Sequence, residues 1–422
     1  MIQAPKGTKD VLPQDSYVWQ WIEAKMRNAA ALRGYREIRT PVFEHTELFQ
    51  RGVGDTTDIV QKEMYTFLDK GKRSITLKPE GTAGVVRAVI ENKLYADILP
   101  IKAYYLNAPI FRYENPQSGR LREHHQFGME CFGAKEPSAD AELISLLLGL
   151  LKDLGLDDLT VHINSIGCPK CRPAYHQALI AYLTDYKDQL CQTCRERFDR
   201  NPLRILDCKE EKCKQIVKDA PVMLDHLCPE CSEHFAQLKT MLTALQVPFA
   251  VDSHIVRGLD YYTKTVFEVI MQSGREGLAL CGGGRYDGLT EQLGGPELCG
   301  VGFGIGTERI LMELHERGIL PESPAVTDVY VANIKPEDKI DAFVLSETLR
   351  KNGIKADCDH VGRSLKAQFK YANKLGVPYL VMVGGEEKER GHMKLRNMNT
   401  KEEKELPTSE LLAELGKGKE EK

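Results

Sequence analysis

The stretch that decides the fold is FRYENPQSGRLREHHQFGMECF, residues 111–132. Its charged middle predicts a loop between two antiparallel strands. Along the returning strand the side-chain period of two puts Gln126, Gly128 and Glu130 on one face, while the alternate residues are apolar. A glycine between two polar residues lets a ligand approach the backbone, and Arg112 on the outgoing strand can contact a phosphate. The alternative is a hairpin whose polar face is only solvated.

A second strand with regular glycines is predicted at 300–310, which reads GVGFGIGTERI. Glycine at every second position leaves one face without side chains, and such a face admits a flat ring. Thr307 can cap the following helix, and Arg309 adds positive charge at a helix N-terminus, which already favours anions. Alternatively, the glycines only permit close helix packing. A dinucleotide-binding fingerprint is disfavoured because its glycine spacing is absent.

Three shorter segments add polar groups. Tyr261 and Tyr262 beside an arginine predict a polar pocket, although such tyrosines are often half-buried core residues. Glu80 and Thr82 put a carboxylate and a hydroxyl at the start of a predicted helix, where Thr82 could also act as a cap. The segments are LKPEGT (77–82), RGLDYYTKTVFE (257–268) and GGGRYDG (282–288).

The order of the predicted elements favours the α+β class. Strands and helices follow no regular βαβ repeat, so we expect a mostly antiparallel sheet flanked by helices. An extended stretch after Gly34 contains Pro41, which cannot donate to a ladder, so this strand should lie at a sheet edge or a subunit boundary. The predicted helices are 16–33, 82–94 and 137–154, and the predicted strands are 99–113, 124–133, 159–164, 264–271 and 299–305.

The composition and the secondary-structure pattern of the chain change at two places. Residues from about 167 to 233 are rich in cysteine and helical patterns, which indicates an insertion. A short proline-containing linker lies at 321–324, and strand and helix patterns alternate after it. We therefore predict a first domain at 1–325, which contains the insertion, and a small α/β domain at 326–422. The elements expected in the small domain are 328–333, 337–351, 354–358, 364–375, 379–383 and 393–398.

Composition is typical of a globular protein, with 42% hydrophobic and 28% charged residues. No apolar run reaches the span of a bilayer, and the N-terminal residues lack a signal-peptide pattern, so we expect a cytoplasmic protein with no membrane partner. The net charge is −4. Contacts with nucleic acid would therefore have to come from local basic patches.

Eight of the twelve cysteines lie in the insertion, as four pairs. Without an export signal we do not expect disulfides. Three pairs have the two-residue spacing of zinc knuckles, and the eight thiols could supply two structural zinc sites, or one site plus spare cysteines. The pairs are Cys168 with Cys171, Cys191 with Cys194, Cys208 with Cys213, and Cys228 with Cys231.

Nearly end to end, these segments resemble the histidyl-tRNA synthetases. Segment 34–54 is similar to the dimer-forming first motif of class II synthetases, 111–132 to the second and 300–310 to the third, while 257–265 and 282–288 are similar to signatures of the histidine enzymes. The resemblance implies a class II antiparallel-sheet catalytic domain, a C-terminal anticodon-binding domain and a homodimer. Many histidyl enzymes lack the insertion cysteines, so the resemblance does not guarantee zinc.

The resemblance also implies an activity: activation of L-histidine with ATP and Mg²⁺, followed by esterification to tRNA(His). Arg112 and Arg257 would be catalytic, because Arg112 would bridge the histidine carboxylate and the α-phosphate and Arg257 would stabilise the charge that develops there. The implied histidine-binding residues are Glu80, Thr82, Arg112, Gln126, Glu130, Arg257, Tyr261 and Tyr262, of which Glu80, Thr82 and Gln126 would hold the ammonium and Glu130 and the tyrosines would read the imidazole. The implied ATP-binding residues are Arg112, Glu114 and Arg309.

Contacts with tRNA are expected at two places. The charged loop of the hairpin would guide the acceptor end. In the predicted helix 364–375, lysines recur every four residues beside an apolar stripe, and they could grip anticodon-stem phosphates or simply be a solvated helix face. The candidate residues are Arg120 and Arg122 in the loop and Arg363, Lys366, Lys370 and Lys374 at the helix.

A different class of function is a catalytically inactive, synthetase-like regulatory subunit of histidine biosynthesis. Such relatives resemble the catalytic core but tend to lose ATP-site residues and the terminal domain. Arg112, Arg257 and Arg309 and the predicted terminal domain are all present, which favours the ligase. Another class II synthetase is disfavoured by the signature at 257–265.

Overall fold

The computed structural model describes residues 1–54, 57–116, 119–208, 210–272 and 279–417. Two compact units divide the chain, Met1–Pro321 and Glu322–Lys422, which we call the large unit and the small unit. Within the described ranges, no helix is long and apolar enough to cross a membrane.

The large unit is built on an eight-stranded sheet with the order β1-β5-β6-β11-β10-β9-β7-β8, and β2-β4-β3 form a separate three-stranded sheet. Neighbouring strands of the large sheet run antiparallel except for the β1–β5 and β7–β8 pairs. The predicted α+β class is confirmed. The strands are β1 (Arg36–Glu37), β2 (Phe43–His45), β3 (Thr66–Leu68), β4 (Ser74–Leu77), β5 (Ile101–Phe111), β6 (Glu123–Phe132), β7 (Leu159–Ser165), β8 (Phe249–Val251), β9 (Thr263–Met271), β10 (Ala279–Arg285) and β11 (Gly300–Gly306).

Helices α1, α4, α8 and α10 of the large unit cover one face of this sheet with apolar side chains. Ile22 of α1 and Leu147 of α4 are fully buried in one core with Phe127 and Met129 of β6, so the apolar alternation predicted for β6 is confirmed. The other face of β6 carries the polar residues. The helices are α1 (Ser16–Ala31), α2 (Thr46–Val53), α3 (Thr82–Glu91), α4 (Pro137–Asp153), α5 (Arg172–Thr184), α6 (Gln192–Phe198), α7 (Glu211–Val217), α8 (Pro229–Ala244), α9 (Leu289–Gln292) and α10 (Thr307–Glu316).

The extended stretch after Gly34 is shorter than its sequence predicts. β1 ends at Glu37, and Pro41 lies between β1 and β2, because proline supplies no N–H to a ladder. β1 is the outermost strand of the large sheet, as predicted for this stretch.

The segment GGGRYDG begins as a strand, which is not among the strands predicted from the sequence. Gly282, Gly283 and Gly284 pair on both sides, with β9 and with β11. Glycine is disfavoured in strands because its backbone loses the most freedom there. Crowding explains why glycine nevertheless occupies this strand, since a Cβ on Gly283 would collide with the backbone of β11.

The cysteine-rich insertion has a core of its own. Tyr175, Leu179, Phe198 and Ile205 are buried with six of the insertion cysteines, separately from the core under the large sheet. Its helices α5, α6 and α7 are linked by short turns, one of which is the 3₁₀ turn Pro202–Ile205. The predicted helical insertion is therefore present.

The small unit is a five-stranded sheet with the order β13-β12-β14-β15-β16 and helices packed against it. The first three strands in this order are parallel and the last two pairings are antiparallel. Its last strand and its last two helices were not predicted. The elements are β12 (Val329–Asn333), α11 (Lys339–Lys351), β13 (Ala356–Cys358), α12 (Leu365–Leu375), β14 (Tyr379–Val383), α13 (Gly385–Glu389), β15 (His392–Asn397), β16 (Glu403–Pro407) and α14 (Leu411–Lys417).

Candidate active site

A cavity of about 460 Å³ opens over β6, β10 and β11 in the large unit. Its walls combine arginine guanidinium groups with carboxylates, which suits a ligand that carries both phosphate and ammonium groups. Six of the sequence-predicted residues line it: Arg112, Glu114, Arg120, Gln126, Arg257 and Arg309.

Arg112 lies directly after β5 and is held in place by two hydrogen bonds. Its Nε donates to the carbonyl oxygen of Pro79 at 2.9 Å, and its backbone N–H donates to the carbonyl oxygen of Arg122 at 2.8 Å. The guanidinium is therefore already ordered before an anion binds. Preorganised electrostatic stabilisation requires donors that are fixed in this way.

Gln126 on β6 has a fixed orientation. Its Oε1 accepts from the backbone N–H of Gly81 and from the hydroxyl of Tyr105, both at 3.2 Å. Its amide nitrogen lies over Gly304, where a Cβ would collide with it. A substrate ammonium would therefore have to share an oxygen that already accepts two hydrogen bonds.

Glu130 is fully buried and lies outside the cavity lining. The hydroxyl of Thr82 donates to its Oε1 at 2.7 Å, and the hydroxyl of Tyr286 donates to its Oε2. Burial raises the pKa of Glu130 to about 8, against the opposing effect of the two hydroxyls. The carboxyl group is therefore mostly protonated at neutral pH.

Glu80 caps helix α3. Its two carboxylate oxygens accept from the backbone N–H groups of Thr82 at 2.8 Å and Ala83 at 2.7 Å. Thr82 contributes no side-chain cap, because its hydroxyl contacts Glu130 instead. The reading of Thr82 as a helix cap is therefore wrong, and the structure brings Thr82 to Glu130 and Glu80 to the helix terminus.

Tyr261 and Tyr262 are both buried, and neither lines the cavity. Their ring centroids are 4.6 Å apart, and the ring of Tyr261 meets that of Tyr286 edge-on at 5.6 Å. Burial raises the pKa of Tyr262, although the nearby charge of Arg257 opposes the rise. The pair packs in the core, where the charges of Glu130 and Arg257 both act on Tyr262.

Arg257 forms an ion pair with Glu268 of β9. A Cβ on Gly282 would lie 2.6 Å from its Nη1, so this position on β10 must be glycine for the guanidinium to lie across the strand. The glycine run that weakens β10 as a strand therefore creates the space that the arginine occupies.

The glycine face of β11 is open only in part. Above Gly302 and Gly304, side chains of β6 fill the space, namely Glu130 and Gln126, whereas nothing lies within 4 Å of a Cβ on Gly306. The ring of Tyr286 lies where a Cβ on Gly300 would be, so the predicted bare strand face accommodates protein side chains at three of its four glycines and leaves room for a ligand at Gly306.

Helix α10 begins without the predicted cap. Its first turn has no side-chain cap, and the hydroxyl of Thr307 instead donates to Oδ1 of Asn107 at 2.8 Å, so the predicted role of Thr307 is wrong. Arg309 in the same turn donates from Nη1 to the carbonyl oxygen of Ala279 at 2.7 Å. That contact holds Arg309 across the cavity wall beside β10.

The two arginines of the hairpin loop differ in their surroundings. Arg120 is exposed and lines the cavity. Arg122 is held inside the loop, because its Nε donates to the carbonyl oxygen of Glu114 at 3.1 Å and its guanidinium lies 4.4 Å from the ring centroid of Tyr113. Residues 117 and 118 of the loop lie outside the described residues.

Comparisons with known proteins show the family of this chain. A family model described as histidyl-tRNA synthetase matches residues 7–310, and one described as an anticodon binding domain matches residues 328–417. The chain belongs to the histidyl-tRNA synthetase family. Its curated relatives include the histidine–tRNA ligases of Clostridium botulinum (strain Langeland) and Clostridium novyi (strain NT). Each is 54% identical over 410 residues, which is 97% of this chain. The match covers 98% of the C. botulinum relative and 97% of the C. novyi relative.

A solved structure of the same family has the same fold. The apo histidyl-tRNA synthetase of S. aureus superposes with a TM-score of 0.84 at 38% identity, covering 98% of this chain and 100% of that chain. The likeness extends over both units, and it favours the ligase over the regulatory subunit that the sequence left as an alternative.

Several side chains of the site were not predicted from the sequence. Tyr105 and Tyr286 support Gln126 and Glu130, and Tyr286 lies inside a segment that was singled out without a role for it. The sequence signal that could have indicated these tyrosines is a pair of strand glycines. Gly128 and Gly300 lack a Cβ at the places where the rings of Tyr105 and Tyr286 lie. Further unpredicted groups at the cavity are Asp58, Glu63, His124, Arg204, Asp207, Glu268 and Glu308.

The insertion cysteines form two groups of four. In each group the Sγ atoms lie within 4.8 Å of one another, as four-thiolate metal sites require. All eight thiols are free of disulfides. The outer tetrad is Cys168, Cys171, Cys228 and Cys231, and the inner tetrad, nested between its two halves in sequence, is Cys191, Cys194, Cys208 and Cys213.

The basic row of the small unit lies on helix α12. Lys366, Lys370 and Lys374 are exposed, and Ala372 on another side of the helix is fully buried. Arg363 is engaged within the protein, since its Nη1 lies 2.9 Å from Oδ1 of Asp359 and its guanidinium lies 4.2 Å from the ring centroid of Tyr371. The three lysines are thus better placed than Arg363 to contact a phosphate.

Proposed function

We propose that this chain is a histidine–tRNA ligase, which joins L-histidine to tRNA(His) through a histidyl-adenylate. In the first step the histidine carboxylate attacks the α-phosphorus of ATP, an O–P bond forms, and the bond to the departing diphosphate breaks. In the second step the terminal hydroxyl of the tRNA displaces AMP. The observation that carries the proposal is one cavity lined by Arg112, Gln126, Arg257 and Arg309 in a member of this family.

We assign the first step to charge stabilisation and positioning, because the substrate carboxylate is itself the nucleophile. Arg112 would bridge the carboxylate and the α-phosphate, and Arg257 would stabilise the charge that develops between them. Arg309 would hold the triphosphate. Magnesium would enter with ATP, and the Glu114 carboxylate in the cavity is an oxygen ligand of the kind that this ion prefers.

For histidine itself we assign the imidazole to Glu130 and the neighbouring tyrosines, and the ammonium to Gln126, Glu80 and Thr82. The hydrogen-bonded set of Glu130, Thr82 and Tyr286 supports this assignment. A pocket of buried polar groups rejects amino acids that cannot pair with them, because the hydrogen-bonding capacity that these groups do not use among themselves would stay unsatisfied.

We propose that tRNA binds at two places. Arg120 at the cavity, with Arg122 shaping the loop, would guide the acceptor end, and the lysine row on α12 would contact the anticodon stem, with Arg363 supporting Tyr371 at that helix. The domains would be catalytic at 1–325 and anticodon-binding at 326–422. Deletion of the residues after Pro324 should weaken tRNA charging far more than adenylate formation.

We also propose a homodimer. The three-stranded sheet exposes apolar side chains that a second copy could cover, since Phe43, Phe67 and Leu68 are each about half exposed or more. Sedimentation should find a dimer, and Leu68→Glu should shift the distribution to monomers. A monomeric parent protein would contradict this proposal.

We propose one zinc ion in each cysteine tetrad. Four thiolates at this spacing fit tetrahedral zinc, and the thiols must be reduced to bind it, which suits a cytoplasmic enzyme. Anaerobic purification followed by elemental analysis tests the assignment. A metal-to-protein ratio near zero would reject it.

Amino-acid-dependent exchange of pyrophosphate into ATP tests the main proposal. Assayed with each of the twenty amino acids, the enzyme should exchange pyrophosphate with histidine alone. No exchange with any amino acid would favour the regulatory-subunit alternative, and exchange with a different amino acid would favour another class II synthetase. Charging of tRNA(His) then tests the second step.

A further inference from the structure

The segment between two inner-tetrad cysteines reaches the candidate active site. We call residues 195–207, which run from Cys194 to Cys208, the bridge segment. Arg204 of this segment is buried, and its Nη1 donates to the carbonyl oxygen of Arg257 at 3.0 Å. Arg204 and Asp207 also line the cavity that holds the Arg257 side chain. The insertion thus supplies part of the active-site wall.

Two further contacts join the bridge segment to the same region. Nδ2 of Asn201 donates to Oδ1 of Asp260 at 3.2 Å, and Asp260 is three residues beyond Arg257 in the sequence. Nη2 of Arg197 lies 3.0 Å from Oδ2 of Asp58, another residue of the cavity wall. Three side chains of one short segment therefore hold two separate parts of the cavity.

Within the insertion, apolar side chains of the bridge segment pack in the insertion core. Phe198 and Ile205 anchor it in the insertion core. Its backbone forms the last four residues of α6 and one 3₁₀ turn, Pro202–Ile205. The cysteines that flank it belong to one tetrad, so a single metal ion would tie both ends together.

We propose that zinc in the inner tetrad positions Arg257 for catalysis by holding the bridge segment against it. This inference rests on the proposed ligase function and on the proposed zinc. Arg204 is then a positioning residue, which acts on the transition state through the backbone of Arg257. Loss of the metal would loosen the ends of the bridge segment and displace the guanidinium, and a displacement of about 1 Å can cost roughly 100-fold in rate.

The test is a double-mutant cycle in the full-length protein with two readouts, zinc content and histidine-dependent pyrophosphate exchange. Cys208→Ser should remove one zinc per chain and lower kcat roughly 100-fold, with a much smaller change in KM for histidine. Arg204→Ala should keep both zinc ions and lower kcat by a similar factor. The double variant should lose little more than either single variant, because both changes break the same linkage.

The controls separate this inference from the proposals beneath it. Cys358→Ala removes a buried thiol in the small unit and should change neither readout. If the parent protein shows no histidine-dependent exchange, the ligase proposal fails. If the parent is active but Cys208→Ser loses a zinc ion and keeps its kcat, or if the two losses multiply in the double variant, the positioning role of the metal is overturned. A fully active parent without zinc overturns it too.

Discussion

At Glu130, burial and hydrogen bonding act in opposite directions on one carboxyl group. Complete burial raises its pKa, the hydroxyls of Tyr286 and Thr82 lower it, and burial is the larger effect, so the pKa rises from an ordinary value of 4.5 to about 8. Between these two pH values the folded protein binds more protons than the unfolded chain does. The contribution of Glu130 to the free energy of unfolding is therefore fully present below pH 4.5 and is lost as the pH rises through about 8.

Replacing Glu130 with glutamine should remove this pH dependence. The amide cannot ionise, so the free energy of unfolding of the parent protein should fall, relative to that of Glu130→Gln, as the pH rises from about 4.5 to about 8. Urea unfolding of both proteins across this range measures the difference. Parallel curves would show that Glu130 titrates normally in the folded protein.

Arg257 should matter for the rate of the first step and not for the fold. Arg257→Ala should lower histidine-dependent pyrophosphate exchange about 100- to 1,000-fold, as the loss of one preorganised donor usually does. Arg257→Lys keeps the charge and should recover part of the rate. Circular dichroism and zinc content should match the parent protein. Exchange at the parent rate in Arg257→Ala would remove Arg257 from the mechanism.

The residue types at the site could be predicted from the sequence, but their partners could not. The motif residues Arg112, Gln126 and Arg309 line one cavity, as the segments indicated. The hydroxyl of Thr307, in contrast, bonds to Asn107 and not to its own helix. A short side chain can satisfy itself locally or across the fold, and the choice depends on tertiary neighbours that the local sequence does not specify.

At the scale of elements, a buried ion pair links α4 to β10. Asp140 and Arg285 are both completely buried, and the guanidinium also donates to the carbonyl oxygen of Ala134 at 2.7 Å. Burial alone would raise the pKa of Asp140, but the charge of Arg285 and its hydrogen bonds hold that pKa at about 2. The pair therefore fixes the strand that lies beneath Arg257.

Breaking this pair should strongly destabilise the large unit. Asp140→Asn removes the fully buried carboxylate partner of Arg285 and leaves the more exposed Asp287, whose Oδ1 lies 3.3 Å from Nη1, to balance the buried charge. Removing one partner of a buried pair typically costs about 3–5 kcal/mol. A lower midpoint in thermal unfolding would register the loss. The matched control is Glu405→Gln, which breaks an exposed pair with Arg390 and should cost about 1 kcal/mol or less. Equal effects of the two variants would show that the buried pair is not a special constraint.

Element prediction succeeded where side-chain periodicity is strong and failed where it is absent. β6 alternates clearly, and its predicted range 124–133 nearly matches Glu123–Phe132. β10 contains three glycines in succession and offers no alternation to detect. Its strand conformation is imposed by pairing with β9 and β11, so only the tertiary fold reveals it.

At the scale of the whole molecule, the two units carry different chemistry. The large unit holds the arginine-lined cavity, and the small unit exposes Lys366, Lys370 and Lys374 along one helix. A net charge of −4 makes such a row informative, because general attraction for nucleic acid is absent. Helical spacing predicted the row, whereas the engagement of Arg363 with Asp359 depends on the turn before α12 and could not be predicted.

Removing the charge of this row should separate the two steps of the reaction. With all three lysines of α12 changed to alanine, pyrophosphate exchange should stay at the parent level, because that assay needs no tRNA. The KM for tRNA in the charging reaction should rise about tenfold or more, and it should depend less steeply on salt, since fewer phosphates are neutralised. The control changes the exposed Lys339, Lys351 and Lys355 to alanine, an equal loss of charge elsewhere on the small unit. Equal increases in KM for the two triple variants would mean that general charge, and not the α12 row, attracts the tRNA.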